Sequence, residues 1–452
     1  MTTLGKTQNA WSKCGVPVFF LAACMVTAAI ARDNQAEREP GNRTGGLGTR
    51  TDETGAKLFV GSNTCANSLV IRDGTVRASR EAAIGYDPGS RDNSVQVIGT
   101  GSAWKVEQTF VVGYKGSGNF LAISNGAAVY NDLAGTKDEA NTGWIGFAGD
   151  NNKVTVAGDG SVWSNHFLCV GEWGSGNALE IAAGGTVRSE TAWIGRDPDA
   201  NSNRALVTGP GSTWINPGTL YVGNYGMDAD LEIRQGATVV VGELMVGAEY
   251  QIMGKPVPQS FNEVILDGGA LVVTNSAGTG VMVLAESPSK FLLRSGTATV
   301  DRLTVRRGQL HLYMQYGPNL VMLNGGTLSC GMIEVDNDRE FMVGNGAAAT
   351  EYRMRGGIHS FANGLNVRTN SVLSGNGTVR GETVINGRTN LDGGKTVFEG
   401  SVANNGVIEV KSGASVVFSK AVVNKGVIIA RKEDVRFDGG LTGQGSLRTP
   451  PE

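Results

Sequence analysis

Residues 144–187 read WIGFAGDNNKVTVAGDGSVWSNHFLCVGEWGSGNALEIAAGGTV, and this stretch holds two versions of one pattern. Each version begins with a short apolar run that a glycine closes, at Gly146 and again at Gly171. Eight residues after each glycine a strand of alternating apolar and polar residues begins, at Val154 and Leu179, and a third short element follows at a glycine turn. Alternation of period two is typical of a strand with one buried face and one solvated face. The stretch therefore predicts units of three short strands.

The closing glycine recurs over a large part of the chain, at intervals of 24 to 33 residues. Its positions are Gly61, Gly85, Gly113, Gly146, Gly171, Gly195, Gly223 and Gly247. Three strands per unit of about 25 residues close a triangular coil, and stacked coils pair equivalent strands in parallel about 4.8 Å apart. We therefore expect an all-β chain folded as a single-stranded parallel β-helix, or β-solenoid. One inward row should contain Leu121, Val154, Leu179 and Leu231, and Ile181 should be buried while Glu180 faces solvent.

The third element of each unit has one of two forms, which alternate from one unit to the next. One form ends in a tryptophan after Gly-Ser-x, at Trp104, Trp163 and Trp214, and the other is Gly-x-x-Val, as at Gly184 to Val187. If these tryptophans point inward, they fill a corner of the core. If they point outward, they form an aromatic stripe along which a polysaccharide can lie.

Two further tryptophans, Trp144 and Trp193, precede isoleucines that the alternation buries. We expect Trp144 and Trp193 at outward or corner positions.

The pattern divides the chain into segments. Residues 55–250 hold the regular repeats, and residues 251–372 keep glycine-pair turns at wider intervals, which indicates a less regular continuation of the β-helix. Residues 373–452 carry a third variety of turn, with Asn-Gly or Asn-Lys-Gly, and are interpreted as further coils; the alternative is a separate small β domain.

The N-terminus has the pattern of an export signal. Lys6 and Lys13 precede an apolar stretch of about 16 residues, and Ala29-Ile30-Ala31 is a small-x-small cleavage site, so residues 1–31 are predicted to be a signal peptide. A membrane anchor is the competing interpretation, although a spanning helix needs about 20 residues. Lipidation of Cys24 is another, because Leu21 to Cys24 resembles a lipobox. Residues 32–54 are predicted to be a flexible leader.

Composition and charge argue against two classes of ligand, nucleic acids and nucleotides. The net charge is −3 and 18% of the residues are charged, so no strong positive field favours nucleic acid. The Gly-x-Gly triplets are not followed by helical patterns and no phosphate-loop motif occurs, so no nucleotide is expected. After signal cleavage three cysteines remain, Cys65, Cys169 and Cys330, which excludes a dense disulfide framework. Cys169 lies within an apolar strand and is predicted to be a small buried hydrophobe.

The residues suited to chemistry form no convincing group. His166, His311 and His359 have no partner at metal-ligand spacing and are expected at the surface or in turns. No catalytic, cofactor-binding or metal-ligating residue and no cofactor is predicted.

Three charged groups nevertheless have functional alternatives. Asp197, Asp199, Asn201 and Asn203 follow the spacing of early calcium-loop ligands but lack the glycine and the closing glutamate, so a solvated loop is favoured. Glu334, Asp336, Asp338 and Glu340 would share a face if extended, as paired carboxylates do in sugar hydrolysis, or they are charges on an exposed loop. Arg302, Arg306 and Arg307 near Asp301 are the hint of a lyase-type cluster.

The repeat resembles that of type V secretion passengers and of PEP-CTERM-associated bacterial surface proteins. The similarity covers about Gly61 to Gly247 and is closest at Trp144 to Gly146, Val154 to Trp163 and Gly174 to Ile181. It does not extend to a barrel-forming region or to a Pro-Glu-Pro sorting signal, and it leaves the export route and the attachment open. The resemblance implies an extracellular right-handed β-helix of bacterial origin with no assigned catalytic role.

Two functions follow as expectations. The first is a non-enzymatic exported surface or matrix protein, an elongated repeat scaffold or adhesin, whose partner is an extracellular polysaccharide or another surface protein. The second is a carbohydrate-active β-helix enzyme of the polysaccharide-lyase type that acts on an acidic glycan. A lyase needs a cluster of Asp with Arg or Lys on adjacent coils that breaks the repeat, and the regular half shows no such break.

Overall fold

The computed structural model describes residues 57–132, 141–247, 262–285, 289–307 and 319–450. All of them belong to the compact unit that runs from Gln35 to Glu452. The predicted signal peptide, the predicted leader and His311 lie outside the described residues. No described residue lies in a helix with the length and apolarity needed to cross a bilayer.

The described residues form an all-β, solenoid-like repeat in which the strands pair in parallel along three faces, named A, B and C here. Face A contains Lys57–Val60, Glu81–Ile84, Phe110–Val112, Thr142–Ile145, Phe167–Val170, Thr191–Ile194, Val281–Leu284, Lys395–Phe398, Ser415–Phe418 and Val435–Phe437. Face B contains Ser68–Ile71, Ser94–Ile98, Phe120–Ser124, Lys153–Ala157, Ala178–Ala182, Arg204–Thr208, Asp230–Arg234, Leu320–Leu323, Phe341–Val343, Leu365–Val367, Thr383–Ile385, Val402–Asn404, Val422–Asn424 and Leu441–Thr442. Face C contains Val76–Ser79, Ala103–Val106, Ala128–Asn131, Val162–Asn165, Thr186–Arg188, Arg388–Leu391, Val407–Val410, Val427–Ile429 and Ser446–Arg448.

Longer strands turn a corner and contribute to two or three faces. They are Thr213–Val222, Thr238–Val246, Asn262–Val273, Ser289–Val305, Gly326–Val335, Thr350–Phe361 and Ser371–Arg380. The last of these crosses the predicted segment boundary at residue 373, and parallel pairing continues from it to Ser446–Arg448. A 3-10 turn at Lys432–Asp434 lies within the last coils.

The predicted inward row is confirmed on face B. Val154 pairs with both Leu121 and Leu179, and Leu179 is joined to Leu231 through Ala205. All five side chains are buried. Because successive residues of a strand point to opposite sides, the same register places Ile181 inward and Glu180 outward, as predicted.

A column on face C explains why the units alternate. Trp104, Val129, Trp163, Val187 and Trp214 follow one another in register. All three tryptophans are fully buried. A valine between two indole rings leaves room for each ring to spread over the neighbouring coil, so large and small residues fill the corner in turn.

A ladder of buried asparagines joins the coils at the corner before face B. Its members are Asn67, Asn93, Asn119, Asn152, Asn177 and Asn203. In each step the side-chain oxygen of one asparagine accepts bonds of 2.8–3.1 Å from the backbone and side-chain nitrogens of the preceding one. The ladder satisfies buried backbone donors at a corner that has no strand partner. The sequence carried the signal, an asparagine directly before each of these face B strands, but we did not predict the ladder.

The ladder also explains the closing glycines. Gly146 has φ +74°, and a Cβ atom at this position would lie 2.1 Å from the side-chain nitrogen of Asn177 in the next coil. Gly61, Gly85, Gly113, Gly171 and Gly223 have the same relation to an asparagine one coil on. The glycine and the asparagine therefore pack against each other at one corner, and a substitution of either one disturbs the other.

Candidate functional site

The face C tryptophans do not form a binding surface. The indole nitrogens of Trp104 and Trp214 donate hydrogen bonds to the buried hydroxyls of Ser79 and Ser189 at 3.2 and 3.1 Å. The inward alternative is confirmed, and the aromatic stripe of Trp104, Trp163 and Trp214 is wrong. The period-two pattern does not decide the direction of these residues because they lie next to a corner.

The structure instead places a different row of aromatic rings on the outside, at the corner that follows face A. The row contains Tyr86, Tyr114 and Phe147, each directly after a closing glycine, and it is extended at one end by Phe59, from the first face A strand, and at the other by Trp173, one ring per coil. Successive ring centroids are 4.6, 4.9, 5.0 and 5.0 Å apart, which is the coil spacing. The first three pairs are stacked within 15°, whereas Trp173 is tilted by 55° from Phe147. Trp173 therefore leaves the stack, and 52% of its surface is exposed.

A second row lies beside it on the outer side of face A. Trp144, Cys169, Trp193 and Tyr221 follow one another in register. Trp193 and Tyr221 are stacked with an interplanar angle of 3°. Trp144 and Cys169 form a small apolar cluster, separate from the main core, against which rings of both rows pack. We name the two rows together the aromatic strip: Phe59, Tyr86, Tyr114, Trp144, Phe147, Trp173, Trp193 and Tyr221.

The outward or corner position predicted for Trp144 and Trp193 is confirmed. Trp193 is half-buried, whereas Trp144, which points the same way, is covered by its neighbours and is only 9% exposed. Sequence reasoning missed the corner row, although its signal was present in the aromatic residue directly after the closing glycine at Tyr86, Tyr114 and Phe147.

Polar side chains hold the strip at its middle. The carboxylate of Glu172, 8% exposed, accepts a bond of 3.3 Å from the indole nitrogen of Trp144 and pairs with Arg196 at 3.2 Å. The Arg196 guanidinium also lies over the Trp193 ring, 4.6 Å from its centroid. Burial, reinforced by the neighbouring Glu172, raises the pKa of the Cys169 thiol, so Cys169 stays neutral and acts as the small hydrophobe predicted.

The charged residues near Arg302 line a cleft of about 490 Å³ on the outer side of face A. The residues that line it include Val281, Val283, Arg302, Arg306 and Glu334. Arg302 lies 3.6 Å from Glu334. Asp336 also lines the cleft, and Asp338 and Glu340 are exposed. Arg307 pairs with Asp338 at 2.8 Å.

The Asp301 carboxylate does not line this cleft. Its carboxylate accepts bonds from Thr274, from the backbone of Gly280 and from Arg355. Partial burial alone would raise the pKa of Asp301, but these bonds together hold it below its usual value. The predicted group of Asp301 with three arginines is therefore not assembled, and the pairing is with Arg355 instead.

The calcium-like spacing at Asp197 is not a set of converging oxygens. The Asn203 amide belongs to the buried ladder, and the Asn201 side chain accepts a bond from the backbone of Met227. Asp199 is exposed. Within the described ranges, no group of three or more His, Cys, Asp or Glu side chains is arranged to hold a metal ion.

His359 corrects an expectation. His166 is half-buried and packs on Phe167, but His359 is fully buried in the core and is not a surface or turn residue. Its Nε2 lies 2.6 Å from the carbonyl oxygen of Gly356 and its Nδ1 lies 2.5 Å from the hydroxyl of Tyr352. A carbonyl can only accept, so Nε2 carries the proton and Nδ1 accepts from the tyrosine. Burial lowers the pKa of His359 despite the bond to Gly356.

The remaining cysteines are unpaired. Cys65 is exposed, whereas Cys330 is buried and its pKa is raised to about 12 by that burial. No protein-family model, no curated protein and no solved structure matches this chain.

Proposed function

We propose that this chain is an exported, non-enzymatic bacterial surface or matrix protein, a right-handed elongated scaffold whose outer side carries an adhesive surface. The observation that supports the proposal is the aromatic strip, because it runs along seven successive coils without interrupting the parallel stack. The export pattern of residues 1–31 and the resemblance of the repeat to secreted passengers support the location.

A stack of coils suits this role physically. Each coil contacts only its neighbours and adds about 4.8 Å of length, so reach grows with coil number and no coil needs contacts with distant ones. Residues on the outside are free to vary, since they do not contribute to the stacked core. A side chain that recurs at the same corner then forms a regular row, as the rings of the strip do.

Export is tested by expressing the full chain in a Gram-negative host and separating the cell fractions. We expect a mature protein that begins at Arg32 in the periplasm, the outer membrane or the medium, identified by N-terminal sequencing and mass spectrometry. A variant with Leu21→Arg, which interrupts the apolar stretch, should remain in the cytoplasm uncleaved.

Lipidation is the competing outcome of the same experiment. It would leave Cys24 at the mature N-terminus with an added acyl mass that Cys24→Ala abolishes. Wild-type protein that stays in the cytoplasm with residues 1–31 attached would contradict the export proposal.

The second candidate function is a polysaccharide lyase, and the cleft at Arg302 is the observation that favours it. A lyase needs a cation to neutralise the uronate carboxylate and a base to remove a proton. Arg302 pairs with Glu334 and Arg307 pairs with Asp338 at the surface, and such a pair contributes at most about 1 kcal/mol and is readily replaced by a ligand. Incubation with alginate and pectate, followed by ultraviolet absorbance of unsaturated products, tests this function. We expect no product; product that Arg302→Ala abolishes would establish the lyase.

A further inference from the structure

We propose that the aromatic strip is a binding platform for one extended, uncharged polysaccharide chain, which lies along the stack with one sugar ring against the exposed face of Trp173 and the following sugars along the ring edges of Trp193 and Tyr221. The inference rests on the proposed adhesive function and names its partner. It is argued from the geometry of the rings, from the polar groups beside them and from the local charge.

The strip is linear and periodic. It has eight rings over seven coils, with Trp144 and Phe147 in the same coil, and it spans about 30 Å at about 4.8 Å per coil. A protein partner usually needs about 800 Å² of broad surface on each side, whereas this surface is one or two rings wide. A polymer of flat rings joined end to end has the matching form.

Trp173 offers the surface that a sugar needs. The C–H bonds on one side of a pyranose ring carry partial positive charge and pack against the negative face of an aromatic ring. Tyr86 and Tyr114 stack face to face within 9°, so they present mainly edges and hydroxyl groups to the solvent. Trp173 is tilted out of that stack and is half exposed. The platform is therefore centred on Trp173, and the stacked rings extend it.

Polar groups flank the apolar surface. Glu172 is anchored by Trp144 and Arg196, and the side-chain nitrogen of Asn224, on the next coil, donates to the backbone oxygen of Arg196 at 3.4 Å. Sugar-binding sites combine an aromatic surface with a few fixed donors and acceptors that recognise the hydroxyl groups. Fixing Arg196 and Glu172 through each other lowers the entropy that they lose on binding.

The local charge favours an uncharged chain. The Arg196 guanidinium is neutralised by Glu172 at 3.2 Å, and the whole chain carries a net charge of −3. These rings are not flanked by a basic groove that would attract a uronate polymer or a nucleic acid. Binding should therefore be almost independent of salt concentration, because no counterions are released.

The test uses the purified mature protein and a defined panel. Native affinity electrophoresis is run in gels that contain xylan, mannan, laminarin or amylose, with alginate as the acidic comparison, and sedimentation is measured with cellulose and chitin. We expect retention by at least one uncharged polysaccharide at both low and high salt. Binding by Trp173→Ala should be weaker by about tenfold, the effect of losing about 1.4 kcal/mol of ring contact, whereas Trp193→Ala, which removes a ring edge, should weaken binding less.

The matched control is Tyr130→Ala, which removes a half-buried outward ring from face C, away from the strip. Its binding should equal that of the wild type, and circular dichroism melts of all variants establish that they are folded. Retention by none of the uncharged polysaccharides would overturn the proposal. So would an undiminished affinity of folded Trp173→Ala, or sedimentation equilibrium that shows Trp173 holding two copies of the chain together. Failed export with intact binding contradicts the cellular location alone, and reducing ends released from a bound glycan contradict the non-enzymatic role alone.

Discussion

The asparagine ladder makes the sharpest prediction about stability, through the substitution Asn152→Ala. Asn152 is fully buried, and its side-chain oxygen accepts bonds of 2.9 and 3.0 Å from the backbone and side-chain nitrogens of Asn119. Its side-chain nitrogen donates at 3.1 Å to Asn177. Alanine removes all three bonds and leaves the Asn119 backbone N–H buried without an acceptor.

The magnitude follows from these bonds. A buried donor without a partner costs about 1–3 kcal/mol, and each other hydrogen bond contributes about 0.5–1.5 kcal/mol. The side-chain nitrogen of Asn119 keeps one bond, to the backbone oxygen of Ser90 at 3.2 Å, which limits the loss. We expect Asn152→Ala to lower the free energy of unfolding by about 3–5 kcal/mol in the coils around it.

Hydrogen exchange measured by mass spectrometry is the suitable assay, because a stack of coils can open locally. Protection should fall in peptides that contain Asn119 and Asn152 and should be unchanged beyond about two coils. The control is Asn405→Ala, an exposed asparagine whose side chain donates one bond, to Asn386 at 2.9 Å. That change should cost no more than about 0.5 kcal/mol. Equal protection in Asn152→Ala and wild type, or equal losses at Asn152 and Asn405, would refute the structural role of the ladder.

Three further outcomes are expected. Ile181→Asp should lower the free energy of unfolding by several kcal/mol because it buries an unpaired charge. Glu180→Ala, which loses only a surface ion pair, should lower it by less than about 1 kcal/mol. A larger loss of stability at Glu180 in melting curves would show that the two faces are exchanged. Gly146→Ala should destabilise the protein more than Gly74→Ala, since both glycines have positive φ but only Gly146 is crowded by a neighbouring side chain, and equal shifts of the melting temperature would contradict this. Because burial lowers the pKa of His359, the stability that the neutral imidazole contributes is present above pH 6.5 and is lost as the pH falls below it. The melting temperature of the wild type should therefore fall more steeply between pH 7 and pH 5 than that of His359→Gln. Parallel profiles would be evidence against the buried neutral histidine.

Part of the candidate site was open to prediction. The glycine followed by Tyr86, Tyr114 or Phe147 was visible in the sequence, as was the outward tendency of Trp193. The sequence did not show that these rings form a continuous row, since this depends on the register between residues 24 to 33 positions apart in the chain. The tilt of Trp173 out of the stack depends on packing alone.

Local patterns in the chain were enough to predict the strands, their parallel stacking and the face on which a residue within a strand, such as Ile181, lies. These features depend on alternation within five residues and on the recurrence of a glycine, and both are local properties of the chain. Contacts between coils set the rest: at the corners, the asparagine ladder and the rings that follow the closing glycines, and within strands, the inward direction of Trp163 and the burial of His359. At a corner the backbone leaves the strand geometry, so the alternation no longer fixes where a side chain points. Its environment is then set by residues of the coils above and below, which are distant in sequence.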